Sequence, residues 1–144
     1  MIEQDTIRLL RECDAGVQMG ISAISDVLDD VKSESMRSAL SSSMQEHARL
    51  AEELQDALHR FSDAGKQPNP MAKAMSTVKT NMELIMKPTD STIASLILDG
   101  CNMGVKSLSK YLNEYKAADE SAKDVCKKLI AMEESLGKNM RGYL

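Results

Sequence analysis

Two stretches of this 144-residue chain, 84 positions apart, carry nearly the same nine-residue pattern. Gly16-Val-Gln-Met19-Gly20-Ile21-Ser-Ala-Ile24 is echoed by Gly100-Cys-Asn-Met103-Gly104-Val105-Lys-Ser-Leu108. After a two-residue insertion, Glu34-Ser-Met-Arg37 matches Glu120-Ser-Ala-Lys123, and Leu50, Leu54 and Leu58 match Leu136, Met140 and Leu144. A unit of this length cannot bury its apolar face alone, so the repeat predicts two copies of a helical hairpin packed on each other. It also sets a test for chemistry, because a site built by both copies leaves its ligands at matching positions.

The residues between the repeats read as helix nearly throughout. Glycine and proline are scarce, at 7 and 3; Trp is absent and Phe occurs once, against 11 Met. Few helix breakers and few aromatic or β-branched residues favour helix over strand. A first helix is expected from about Thr6 to Val31, with Leu10, Cys13, Val17, Gly20, Ile24, Val27 and Val31 at spacings of three and four. That spacing is the seam of a bundle helix, and Ile21 and Leu28 widen it. Ser33 or Ser35 can cap a second helix running to about Phe61, with a seam of Met36, Leu40, Ser43, His47, Leu50, Leu54, Ala57 and Phe61. Ala64-Gly-Lys-Gln-Pro-Asn-Pro70 breaks the pattern. A shorter helix, about Met71 to Met86, follows it and puts Met71, Met75, Met82 and Met86 on one face. The next helix starts after the capping cluster Thr89-Asp90-Ser91 and runs to about Tyr115, with Ile93, Ile97, Gly100, Gly104, Leu108, Tyr111 and Tyr115 in its seam. The last, about Glu120 to Gly142, uses Ala122, Val125, Leu129, Met132 and Leu136, with Cys126, Glu133 and Met140 at the edge of the stripe.

The roughly 26 residues before the third long helix exceed a hairpin loop, and a helix over 71–86 spans about 24 Å. The expectation is therefore an all-α, antiparallel four-helix bundle in one domain, 1–144. It comprises a hairpin 6–61, a crossover 62–89 and a hairpin 90–143. The pairs Gly16/Gly20 and Gly100/Gly104, each spaced by four, predict a close approach between the first helix of each hairpin.

A net charge of −4 gives no electrostatic footprint for nucleic acid. No apolar run approaches 18 residues and no basic, apolar leader opens the chain, so a soluble, cytoplasmic protein is expected. Cys13, Cys101 and Cys126 are widely spaced, with no C-x-x-C, and read as buried reduced thiols.

Two hairpins, a long crossover and Gln45-Glu46-His47-Ala48-Arg49 in mid-helix resemble the ferritin-like superfamily, including the rubrerythrins. The resemblance implies a di-iron site made by a Glu from each of two helices and Glu-x-x-His from each of the other two. His47 stands where the first motif's His belongs, but Met44 replaces its Glu. In the second copy Glu133 aligns with His47 and Ile130 with Met44. The acids near the expected ligand position on the first helix, Glu12 and Asp14, have Leu96 and Leu98 as repeat partners, and Asp99 matches Ala15. Thioether and alkyl groups are poor ligands for iron. The residual candidates are His47, Glu133, Glu134 and Glu12, with His47 and Glu133 expected to meet inside the bundle. The chain is expected to bind no metal or cofactor and to carry no catalytic residue. The leading reading is a structural or protein-interaction module that forms a homodimer, with the Met-rich crossover helix as its contact. A small-molecule or metal-binding protein with a residual site around His47 is the alternative, and a di-iron oxidoreductase the last.

Overall fold

A computed structural model describes residues 2–61 and 88–144, and among them every regular element is helical. Four long helices follow in order: α1 (Ile2–Leu28), α2 (Glu34–Arg60), α3 (Asp90–Glu114) and α4 (Glu120–Met140), and a 3₁₀ turn at Arg141–Tyr143 closes the chain. The starts obey local chemistry. The hydroxyls of Ser33 and Thr89 accept from the amides of Met36 and Thr92, and the Asp119 carboxylate accepts from that of Ala122. Each satisfies an amide that the first turn leaves without an intrahelical partner. The expected crossover helix, with Met71, Met75, Met82 and Met86, lies outside the described residues.

The direction of each helix follows from contacts at the two ends. At one end the Thr6 hydroxyl accepts from the Asp119 amide at 2.8 Å and the Asp5 carboxylate from the Ala117 amide at 3.1 Å, so α1 and α4 start together. At the other end Asp90, the first residue of α3, accepts from the amides of Lys32 and Ser33 at 2.8 and 2.9 Å, so α2 and α3 start together. There Ser35 and Tyr143 share a hydroxyl–hydroxyl bond of 2.8 Å, and the Arg37 guanidinium donates to the Val31 carbonyl. The pairs α1–α2 and α3–α4 therefore run antiparallel and pack most extensively. Between pairs, α1 touches both α3 and α4, and α2 touches α4. No helix among the described residues is long and apolar enough to cross a membrane.

The apolar core divides in two. Towards the start of α1, Leu9, Leu10, Cys13 and Val17 meet Leu50, Leu54 and Leu58 of α2, with Leu108 and then Ala122, Cys126 and Leu129. Towards its end, Ile24, Val27 and Val31 meet Met36, Leu40, Ile93, Ile97, Cys101, Leu136 and Met140. On α1 and α2 the expected seam is the observed one, although α1 spans 2–28 rather than 6–31. Two seams differ. On α3 Gly100 faces outward, with nothing near where a Cβ would stand, and Cys101 and Ala94 are buried instead. A glycine carries no side chain and so gives no signal of phase, and Ile93-Ile97-Cys101-Leu108 is an equally regular stripe. On α4 Cys126, Glu133 and Met140 are fully within the buried face, while Val125 and Met132 are half-buried. Along the sequence a carboxylate in an apolar line marks the margin of the stripe; its burial needs a partner that the line alone does not display.

Asp90 connects the start of the third helix to the turn between the first two, so its removal is expected to loosen that end. Asp90→Ala should lower stability by about 1–2 kcal/mol in urea unfolding, the range of a partly exposed charge-assisted pair of hydrogen bonds. Asp99→Ala, on the exposed face of the same helix, should change it by less than about 0.5 kcal/mol.

Candidate functional site

Between the two apolar clusters lies a polar layer to which each helix gives one residue. His47 of α2 and Glu133 of α4 fill it, and Gly20 of α1 and Gly104 of α3 make room. His47 is wholly buried and Glu133 nearly so, at 0% and 8% exposure. The imidazole Nε2 and the Glu133 Oε1 are 2.6 Å apart, the short contact of a charge-assisted hydrogen bond. The other ring nitrogen, Nδ1, donates to the Ser43 carbonyl one turn back at 2.7 Å, with the Ser43 hydroxyl at 3.4 Å.

These contacts fix the protons. A carbonyl only accepts, so Nδ1 carries a hydrogen. The hydrogen between Nε2 and Oε1 is the one the pair shares, and while it resides on nitrogen the pair is imidazolium and carboxylate. Burial by itself pushes His47 towards the neutral form. The Glu133 hydrogen bond and charge, then the Ser43 carbonyl and the Glu46 charge, outweigh it, so the imidazole holds its proton above its ordinary value. Glu133 also lies beside Cys101; burial first, and then the neighbouring carboxylate, raise that thiol far above the usual range. Cys101 is accordingly an unreactive core thiol.

The glycines admit side chains rather than helix backbones. A Cβ at Gly20 would stand 2.7 Å from His47 Cδ2 and 2.8 Å from Nε2, closer than real contacts allow. One at Gly104 would stand 3.6 Å from Glu133 Oε2, an ordinary contact. The expected approach of α1 to α3 through both glycine pairs is thus corrected. Gly16 faces Leu129 and Leu108, Gly20 faces the imidazole, Gly104 faces Glu133, and Gly100 faces open space.

Of the four candidates read from the sequence, the structure brings together His47 and Glu133 alone. Glu134 is exposed and lines the outer groove between α3 and α4 rather than the buried layer. Glu12 stands two turns from Gly20 along α1 and interacts with Tyr111 of α3; burial, opposed by that hydrogen bond and joined by Glu114, raises its carboxyl. Asp14, also on α1, is buried and accepts from the Gln55 amide at 3.2 Å, away from the layer. Burial raises it, while Gln55 and Gln18 oppose the shift. Among the described residues no group of three His, Cys, Asp or Glu side chains is arranged to hold a metal ion. Sequence reading missed the neighbours of the pair, Ser43's carbonyl and Cys101. Ser43 had left a signal, a small residue on the seam one turn before the histidine.

Two measurements test this layer. Gly20→Ala should destabilise the fold by about 1–2 kcal/mol, because a clash with an imidazole pinned at both nitrogens exceeds the gain in helix propensity. Gly100→Ala, into open space, should stabilise it by about 0.5–1 kcal/mol. The second is a titration. His47 is protonated more readily folded than unfolded, so the pair's contribution is complete below the ordinary value of 6.5 and is lost as pH rises through the higher folded value. Glu133→Gln should lower the His47 pKa followed by NMR and diminish the loss of stability as pH rises above 6.5. Glu133→Leu should cost about 1–3 kcal/mol by leaving Nε2 buried without a partner.

Neither a family model, nor a curated protein, nor a solved structure matches this chain.

Proposed function

We propose that this chain is a ferritin-like bundle whose central layer holds an internal ion pair instead of metal, and that it serves as a self-associating structural or protein-interaction module. The observation that carries the reading is the saturation of His47. A metal-ligating imidazole must offer one nitrogen lone pair, and both nitrogens here are committed, one to the Ser43 carbonyl and one to the Glu133 carboxylate. Ferritin-like sites recruit carboxylates from all four helices. Here two of the four helices offer glycine at that level, and the positions expected to carry a Glu before each histidine hold Met44 and Ile130. The sequence repeat supports the superfamily assignment further, since the pairs Gly20/Gly104 and His47/Glu133 are repeat equivalents and occupy one layer.

A second reading, a small-molecule binding protein, has one observation in its favour. A groove of about 580 Å³ between α3 and α4 is lined by Leu98, Asn102, Val105, Glu133, Lys138 and Arg141, so one wall is the same carboxylate. That volume suits a small ligand.

Metal analysis and light scattering separate these readings. Protein purified without chelators should carry no stoichiometric metal, and its mass in solution should be twice that of the chain. Stoichiometric iron with oxidase activity would overturn the proposal. A monomer would remove self-association. A small molecule co-purifying with wild-type protein but not with Glu133→Gln would favour the groove.

A further inference from the structure

Helices α1 and α4 run side by side in a single register. The Thr6 hydroxyl accepts from the Asp119 amide across a separation of 113 positions. The same offset pairs Gly16 with Leu129, whose Cδ2 would lie 3.6 Å from a Cβ there, and Gly20 with Glu133, whose Oε1 would also lie 3.6 Å away. Between the first of these contacts and the other two, at that offset again, stand Cys13 and Cys126. Both are fully buried in one apolar cluster, and each thiol shifts the other's titration, Cys13 upward and Cys126 downward. Cys126 in turn donates its S–H to the Leu108 carbonyl at 3.8 Å. The three cysteines are free, and the third, Cys101, belongs to the other cluster.

The spacing suits a covalent bond. Packed helices lie about 8–10 Å apart, with Cα atoms about 2.3 Å from each axis, so facing Cα atoms are about 3.4–5.4 Å apart. A disulfide needs about 4.4–6.8 Å.

We propose that Cys13 and Cys126 are a redox-sensitive cross-link that a hydroperoxide closes into a disulfide, joining the first helical pair to the second. The Cys126 thiolate attacks one peroxide oxygen, the O–O bond breaks, and a sulfenic acid forms with release of one water. The Cys13 sulfur then displaces hydroxide from that sulfenic sulfur and gives up its proton to it, so a second water leaves and the S–S bond forms. Two thiols lose two hydrogens and two electrons, and the peroxide takes them. The contact with Cys13 lowers the Cys126 thiol against the opposite push of burial, and the same contact and burial raise Cys13. With neither sulfur exposed, the reaction waits on opening of the α1–α4 seam and is slow in the closed bundle.

The test treats the folded, reduced full-length chain with hydrogen peroxide, alkylates the remaining thiols and maps peptides without reductant. The expected result is a Cys13–Cys126 disulfide with Cys101 alkylated, a higher urea midpoint than the reduced protein, and reversal by dithiothreitol. Cys101→Ala should cross-link to the same extent, and Cys13→Ala or Cys126→Ala should not cross-link within the chain. If either single variant fails to fold, the peptide map of the wild-type chain and of Cys101→Ala still decides. Three alkylated thiols after treatment, a link through Cys101, or sulfinic acid at Cys126 without a disulfide would each overturn the proposal.

Discussion

The 2.6 Å contact between His47 and Glu133 is the constraint around which the rest of the bundle is arranged. A buried ion pair is a weak source of net stability, because desolvating both groups offsets most of their attraction. It is costly to misplace, however. Sliding α4 by one turn against α2 would leave an imidazole and a carboxylate facing leucines. The apolar clusters on either side tolerate many packings of Leu, Ile and Met; the polar layer tolerates one register. It also explains an otherwise wasteful use of glycine. Each mid-helix glycine costs up to about 1 kcal/mol against alanine. At Gly20 no larger residue fits beside the imidazole.

Charge and geometry at this layer bear on chemistry as well as on stability. The proton shared by the pair leaves it with no net charge, so no counter-ion is called for. Cys101, the nearest thiol, is held protonated by burial and by the carboxylate beside it. The groups that could act as base, ligand or nucleophile are thus engaged with one another. The groove along α3 and α4 has Glu133 in its wall.

Much of the fold was legible along the chain, for identifiable reasons. Seams on α1 and α2 followed from dense, regular apolar residues, and the caps at Ser33 and Thr89 from short polar side chains ahead of helical runs. The meeting of His47 with Glu133 was legible because the repeat made them equivalent and because neither polar group can be buried alone cheaply. Gly100 was misplaced because the alignment with Gly16 carried more weight than the stripe through Cys101. The contact between Cys13 and Cys126 was invisible, since cysteines far apart in sequence and on different helices share no local pattern.

The sequence by itself determined that the described residues are helical, where the second, third and fourth of their long helices start, and which two polar residues would need each other. These are matters of periodicity, capping and desolvation, and they act within a helix or on single groups. The tertiary structure alone decided which glycine gives way to which side chain, that Cys101 joins the core in place of Gly100, and that Glu12 and Glu134 stand apart from the layer. It also set the common register of α1 and α4 that brings two thiols together. Those outcomes depend on rotation and translation of whole helices against one another, which packing fixes only when all four are in place.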